Sequence, residues 1–97
     1  MGLDQDAFVK IDGRTVNIGC WRKHYPLQRV FIELAGQDIN CKDIELTLDM
    51  LEVIETSRDK GHWYIDSDEY RWEDHAFIVG AKGYLMQAYK VYYSSNY

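Results

Sequence analysis

Residues 7–21, AFVKIDGRTVNIGCW, constrain this chain more than any other stretch. Asp12-Gly13 stands between two runs in which apolar and polar residues alternate. That dipeptide supplies the two positive-φ positions of a type I′ turn, whose twist matches the flanking strands. A two-residue loop sets Ile11 against Arg14, Val9 against Val16 and Ala7 against Ile18. Ala7, Val9, Ile11, Val16, Ile18 and Cys20 then share one face of a hairpin. Phe8, Lys10, Thr15, Asn17 and Trp21 occupy the other. One side of this hairpin is a core side, and a second layer must cover it.

The following segments supply that layer. Pro26 suits the first turn of a helix, where its missing N–H would have had no partner. The helix runs from Pro26 to Ala35, and Gly36 serves as its C-cap. Leu27, Val30, Phe31 and Leu34 mark its buried face. Residues 39–46 alternate, but the register changes between Cys41 and Ile44, which points to a bulge or bend. Thr47 caps a helix of about 48–59 (an alternative start is Asp43) with Leu48, Leu51 and Ile54 on its face. After a loop, Ser67 or Asp68 is placed to cap a third helix with Glu69 in its first turn. Trp72, Ala76, Val79, Gly83 and Met86 form a stripe along that helix. Gly80 and Gly83 imply close packing of the helix on the sheet, or a break. The tail KVYYSSNY is rich in strand formers. The expected order is β-β-α-β-α-α-β. The fold class is α+β: a small, mainly antiparallel sheet covered by two or three helices, in a single domain spanning 1–97.

Composition limits the function classes. Ninety-seven residues allow one core, and 46% hydrophobic with 14% aromatic residues exclude a disordered tail. The net charge of −5 argues against duplex nucleic acid, whose binders carry a basic stripe. No apolar run approaches the ~20 residues needed to span a bilayer, and no secretory signal is visible, so no membrane partner and a cytoplasmic location are expected. Cys20 and Cys41 lie in apolar alternations and read as small buried residues. No CxxC is present, so neither a structural zinc site nor a redox pair is supported.

Three constellations could carry chemistry. WRKHY (21–25) places Arg22, Lys23 and His24 beside Trp21 and ahead of a helix N-terminus, a setting that suits a phosphate or carboxylate. The competing reading is a loop with solvated cations and a Trp packed on the core. His62, Asp66, Asp68, Glu69, Glu73, Asp74 and His75 form the densest set of metal-ligand types, with His62, Asp66 and His75 the candidates. No metal-binding motif is complete, and an acidic helix start is an ordinary solvated face. Tyrosines crowd the tail: Tyr89, Tyr92, Tyr93 and Tyr97 offer large contact area with a polar tip, as binding surfaces do. No catalytic motif appears, and no cofactor is expected.

The segments MGLD (1–4), CWRKHYPLQRVF (20–31) and YYSSNY (92–97) together resemble a family of small, largely uncharacterised bacteriophage and prophage proteins. Members open MGLDMY, carry a WRK motif before a short helix, and end in a Tyr-Tyr-x-Ser-Ser-Trp-like tail. Here Gln5-Asp6 replaces the Met-Tyr, and Tyr97 stands in place of the Trp. The resemblance implies an intracellular phage accessory protein acting on a host protein. If the first and last strands are neighbours, the three segments converge. Asp4 then pairs with Arg22 or Lys23 while Ser94 and Ser95 donate hydrogen bonds, forming either a pocket or a polar clasp.

Three functions follow as expectations. The first is non-enzymatic binding of a host protein through a Tyr/Trp-rich, acidic-rimmed surface. The second is a small-molecule binder holding a nucleotide or other phosphate at Trp21, Arg22, Lys23 and His24. The third is a metal-assisted hydrolase. The terminal strand could also pair with its twin in a homodimer.

Overall fold

The computed structural model describes residues 2–61, 63, 64 and 67–97. The hairpin forms as the Asp12-Gly13 signal requires. β1 (Asp4–Ile11) and β2 (Arg14–Arg22) are joined by those two residues, at φ 50° and 78°. The chain continues through α1 (Tyr25–Ala35), β3 (Asp43–Glu45), α2 (Leu48–Lys60), α3 (Arg71–Met86) and β4 (Lys90–Asn96). The element order is the expected one, and the fold is α+β, with three helices and a four-stranded antiparallel sheet.

Near the turn the hairpin register is the expected one, with Val9 opposite Val16. Beyond it the register shifts: Phe8 faces Asn17, but Ala7 faces Gly19, leaving Ile18 as an extra residue. This bulge exchanges the two faces of the rest of β2. Trp21 was expected outside and is buried in the core, whereas Cys20 was expected inside and is exposed. Gly19 makes room for the change, since a Cβ there would lie 2.5 Å from Cη2 of Trp21.

The sheet order is β2-β1-β4-β3. The last strand therefore lies between the first and the third, with Asp4 opposite Asn96 on one side and Asp43 opposite Ser94 on the other. Both flanks of β4 are hydrogen-bonded within the chain, so the pairing of this strand with its twin that the sequence left open is blocked. The edges are β2 and the short β3.

Cys41 adopts a left-handed conformation (φ 59°), producing the expected bend before β3, but its side chain is exposed rather than buried. Gly36 (φ 68°) ends α1 as expected, and Thr47 Oγ1 accepts from the Met50 N–H at the start of α2. The core joins Ala7, Val9, Val91 and Tyr93 of the sheet to Leu27, Phe31, Leu51, Ile54, Phe77 and Ile78 of the helices.

The third helix departs most from expectation. Its N-cap is Tyr70, not Ser67 or Asp68, and Ser67 Oγ accepts from the Glu69 N–H in the turn before it. Its buried face is Asp74, Phe77, Ile78 and Ala81. The stripe of Trp72, Val79 and Met86 faces outward, with exposures of 78%, 56% and 76%. The helix runs unbroken through Gly80 and Gly83, and a Cβ at either would meet nothing within 4 Å.

Candidate functional site

Because the bulge turns Trp21 inward, its indole N–H reaches α3, donating to Asp74 Oδ1 at 2.9 Å. Lys23 then takes a left-handed turn (φ 60°), and its N–H bonds to the Leu3 carbonyl at 2.7 Å. This turn delivers His24 to the N-cap of α1, with Nε2 at 2.7 Å from Asp74 Oδ2. Tyr64 donates to the same oxygen at 2.5 Å. Asp74, 1% exposed, thus gathers Trp21, His24 and Tyr64 from three segments of the chain. Its apolar surroundings strengthen each of these bonds and make their loss expensive.

A second polar string runs beside the first. The Gln5 side chain accepts from the His24 N–H and donates to the His24 carbonyl, at 2.8 and 3.0 Å. Gln5 also donates to Tyr93 Oη, Tyr93 donates to Gln28, and Gln28 donates to Ser95 Oγ. Burial raises the Tyr93 hydroxyl pKa well above its ordinary value. The Tyr64 hydroxyl is raised too, first by burial and then by Asp74. Among the described residues, no buried side-chain nitrogen or oxygen lacks a partner.

The segments 1–4, 20–31 and 92–97 therefore meet at one end of the sheet. Asp4 pairs with Arg22 at 3.1 Å, Leu3 and Gln5 hold Lys23 and His24, and Gln28 of α1 reaches Ser95. The Asp4–Arg22 pair is well exposed, so its contribution to stability is small. Ser95 is buried, and Ser94 is half-buried on the opposite sheet face.

Two clefts flank the segment that carries Trp63 and Tyr64. One, of about 500 Å³, is lined by Arg22, Lys23, His24, Ser67, Glu69 and Tyr70. Tyr70 stacks on the His24 ring at 5.0 Å and bridges the backbone N–H and C=O of Arg22. Trp21 takes no part in this cleft: its ring packs on Phe77 and it belongs to the core. The other cleft, of about 550 Å³, lies between the end of α2 and the start of α3, where Arg58, Arg71, Trp72 and His75 gather.

The four tail tyrosines do not share a surface. Tyr93 is buried, its ring stacked on Phe31 at 3.7 Å, and so cannot be a surface contact. Tyr92 stacks on Phe8 across the sheet's other face, and Tyr89 packs edge-on against Tyr84. Tyr97 is exposed, and its hydroxyl donates to Asp38. Of the metal-ligand candidates, His62 and Asp66 lie outside the described residues, and His75 is exposed in the second cleft. Among the described residues, no group of three metal-ligating side chains converges, and no helix is long and apolar enough to cross a membrane.

Sequence reading counted Asp74 only among metal-ligand types on a solvated helix start, whereas it is buried, and it did not name Tyr64 or Tyr70. The signal for Asp74 was present: Phe77, Ile78 and Ala81 form an apolar helix face, and one turn back along it stands Asp74. A carboxylate there must find buried donors.

Cys20 has a testable chemistry. Although Cys20 is exposed, partial loss of solvation raises its thiol pKa, as do Asp6 and then Glu73, which also accepts from the Cys20 N–H. Thiolate is the reactive form. Alkylation of Cys20 by iodoacetamide at pH 8, followed by peptide mapping, is expected to be slower than that of a free cysteine peptide. Asp6→Asn should speed it. Equal rates in the two proteins would remove Asp6 as a cause.

Compared with protein-family models, curated proteins and solved structures, the chain matches none.

Proposed function

We propose that the protein is a non-enzymatic binding module that docks a protein partner on the outer face of α3. The observation that carries this is the line of Trp72, Val79 and Met86, more than half exposed and stacked along one side of a helix. Scattered exposed apolar residues are ordinary, but a continuous strip with a large aromatic at one end has the character of an interface.

The glycines support the same reading. Gly80 and Gly83 each weaken the helix by about 1 kcal/mol relative to Ala. Nothing within the described chain needs their small size. Gly83 lies in the stripe between Val79 and Met86, leaving a notch into which a partner's backbone or a large side chain fits. The partner class expected from the phage-family resemblance is a host-cell protein. The docking face is then α3 rather than the tyrosine-rich tail.

Affinity capture from bacterial lysate, compared across variants, tests this. Wild-type protein should retain a partner in stoichiometric amount. Met86→Asp should lower its retention at least about tenfold, with an unchanged circular dichroism spectrum because Met86 is exposed. Gly83→Gln is the sharper probe. It should leave the free protein about 1 kcal/mol more stable while obstructing the notch and weakening capture. A partner held equally by wild type and both variants would rule out this face.

A further inference from the structure

We propose that the cleft between the C-terminal end of α2 and the first turns of α3 binds a small aromatic anion of the mononucleotide class. Its ring would stack on Trp72 and its phosphate would meet Arg71. The chain carries sixteen carboxylate residues against eleven Lys and Arg. Even so, Arg58, Arg71 and His75 converge here with three aromatic rings, Trp63, Tyr64 and Trp72. The one carboxylate among the described lining residues is Asp59, held at 3.2 Å by Arg58, which also lies 3.9 Å from Glu55, so the net positive charge of that lining rests on Arg71. A basic, aromatic pocket in an acidic protein selects for negatively charged, flat ligands.

The groups are suitably prepared. The Arg71 guanidinium lies over the Tyr64 ring, 4.6 Å from its centroid. That stacking orients the fork without consuming its hydrogen bonds. Tyr64 is in turn fixed by its bond to the buried Asp74. Among the described residues, Arg71 has no carboxylate partner. An oriented guanidinium is the group that recognises phosphate by two parallel hydrogen bonds. His75 lies one turn further along the same side of α3 and adds a ring nitrogen. Trp72, 78% exposed, offers a whole indole face, and base–aromatic stacking contributes about 1–3 kcal/mol per base. The volume of about 550 Å³ is that of a small-ligand site. A nucleic-acid strand would need a longer basic track than three groups provide.

The test is a titration of the 15N-labelled 97-residue chain with ADP, adenosine and inorganic phosphate, followed by amide chemical shifts. ADP is expected to shift residues around Arg58 and Arg71–His75, with adenosine and phosphate each binding at least about tenfold more weakly because each supplies half of the contacts. Arg71→Gln and Trp72→Ala should each weaken ADP binding about tenfold or more, while the charge-matched Lys90→Gln on β4 leaves it unchanged. No ADP-dependent shift at a few millimolar would overturn the proposal, as would shifts confined to the cleft beside Arg22 and Lys23. Wild-type affinity in Arg71→Gln, or displacement of ADP by an acidic peptide that binds more tightly, would overturn it too. Met86→Asp separates this inference from the docking face, because it should weaken protein capture at least about tenfold and leave ADP binding intact.

Discussion

Asp74→Ala is expected to destabilise the protein by about 3–5 kcal/mol, the effect of removing one partner from a buried charged or hydrogen-bonded group. The substitution leaves the Trp21 indole N–H, the His24 ring and the Tyr64 hydroxyl without their common acceptor. Asp74 and His24 are only 1% and 4% exposed, so water cannot easily take its place. A domain of this size has about 5–15 kcal/mol in total. Each kcal/mol moves the melting temperature by about 4–8 °C, so a drop of roughly 12–40 °C should appear in a thermal scan. Asp74→Asn keeps the volume and one acceptor oxygen but turns an amide donor toward other donors, so its loss should be smaller. Glu73→Ala is the control one residue away. Among the described residues, Glu73 accepts from the exposed Cys20 N–H, worth about 1 kcal/mol. Equal losses in Asp74→Ala and Glu73→Ala would mean that Asp74 is not the hub of this corner.

The hub also links the two proposals to the fold. Asp74 holds Tyr64, Tyr64 supports Arg71, and Trp63 and Tyr64 form the wall between the two clefts. Loss of Asp74 should therefore blur ADP recognition through Tyr64 as well as lower stability. Val79 and Met86 of the outer stripe of α3 face solvent on the side away from Asp74, so the proposed docking there would depend on the helix remaining folded rather than on any bond to Asp74.

Much of this architecture was legible in the sequence because the signals were local. Asp12-Gly13 dictated the hairpin, Pro26 and Gly36 bracketed α1, and Thr47 marked the start of α2. The bulge at Ile18 was harder to see, since alternation continues straight through it. The hint was Gly19, a glycine inside a strand, which often marks a bulge or a close approach. Missing it reversed the faces of Trp21 and Cys20. In α3 two apolar stripes compete. The outer one is regular, whereas the inner one of Phe77, Ile78 and Ala81 is interrupted by Asp74. Sequence patterning favours the regular stripe, and only the tertiary partners of Asp74 reveal which one is buried. The second cleft was invisible because Arg58 and Arg71 come from different helices and meet only through the packing of α2 on α3. The position of β4 inside the sheet is a matter of topology, and a strand's composition does not state its neighbours.

That topology makes the last expectation a strong one. Tyr93→Ala should destabilise the protein by about 4 kcal/mol or more, and Tyr92→Ala by about 1 kcal/mol. The residues are adjacent and chemically identical, but β4 points them to opposite faces. Tyr93 is fully buried, stacked on Phe31, with its hydroxyl joined to Gln5 and Gln28. Truncation empties the space of a large aromatic and strands two buried amide groups. Tyr92 is half-buried on the other face, stacked on Phe8 with Lys10 over its ring. Tyr93→Phe separates the two components of the larger loss. It keeps the ring and removes the hydroxyl, so about 1–3 kcal/mol is expected. Urea unfolding followed by far-ultraviolet circular dichroism reads all three variants on one scale. If Tyr93→Ala proved as stable as Tyr92→Ala, Tyr93 would have to lie outside the core, and the β1–β4 register that sets Tyr93 opposite Ala7, with Phe31 of α1 over its ring, would be wrong. If Tyr93→Phe instead matched wild type, the ring would be the whole contribution, and the Gln5–Tyr93–Gln28–Ser95 string would hold the two termini in place without stabilising the fold.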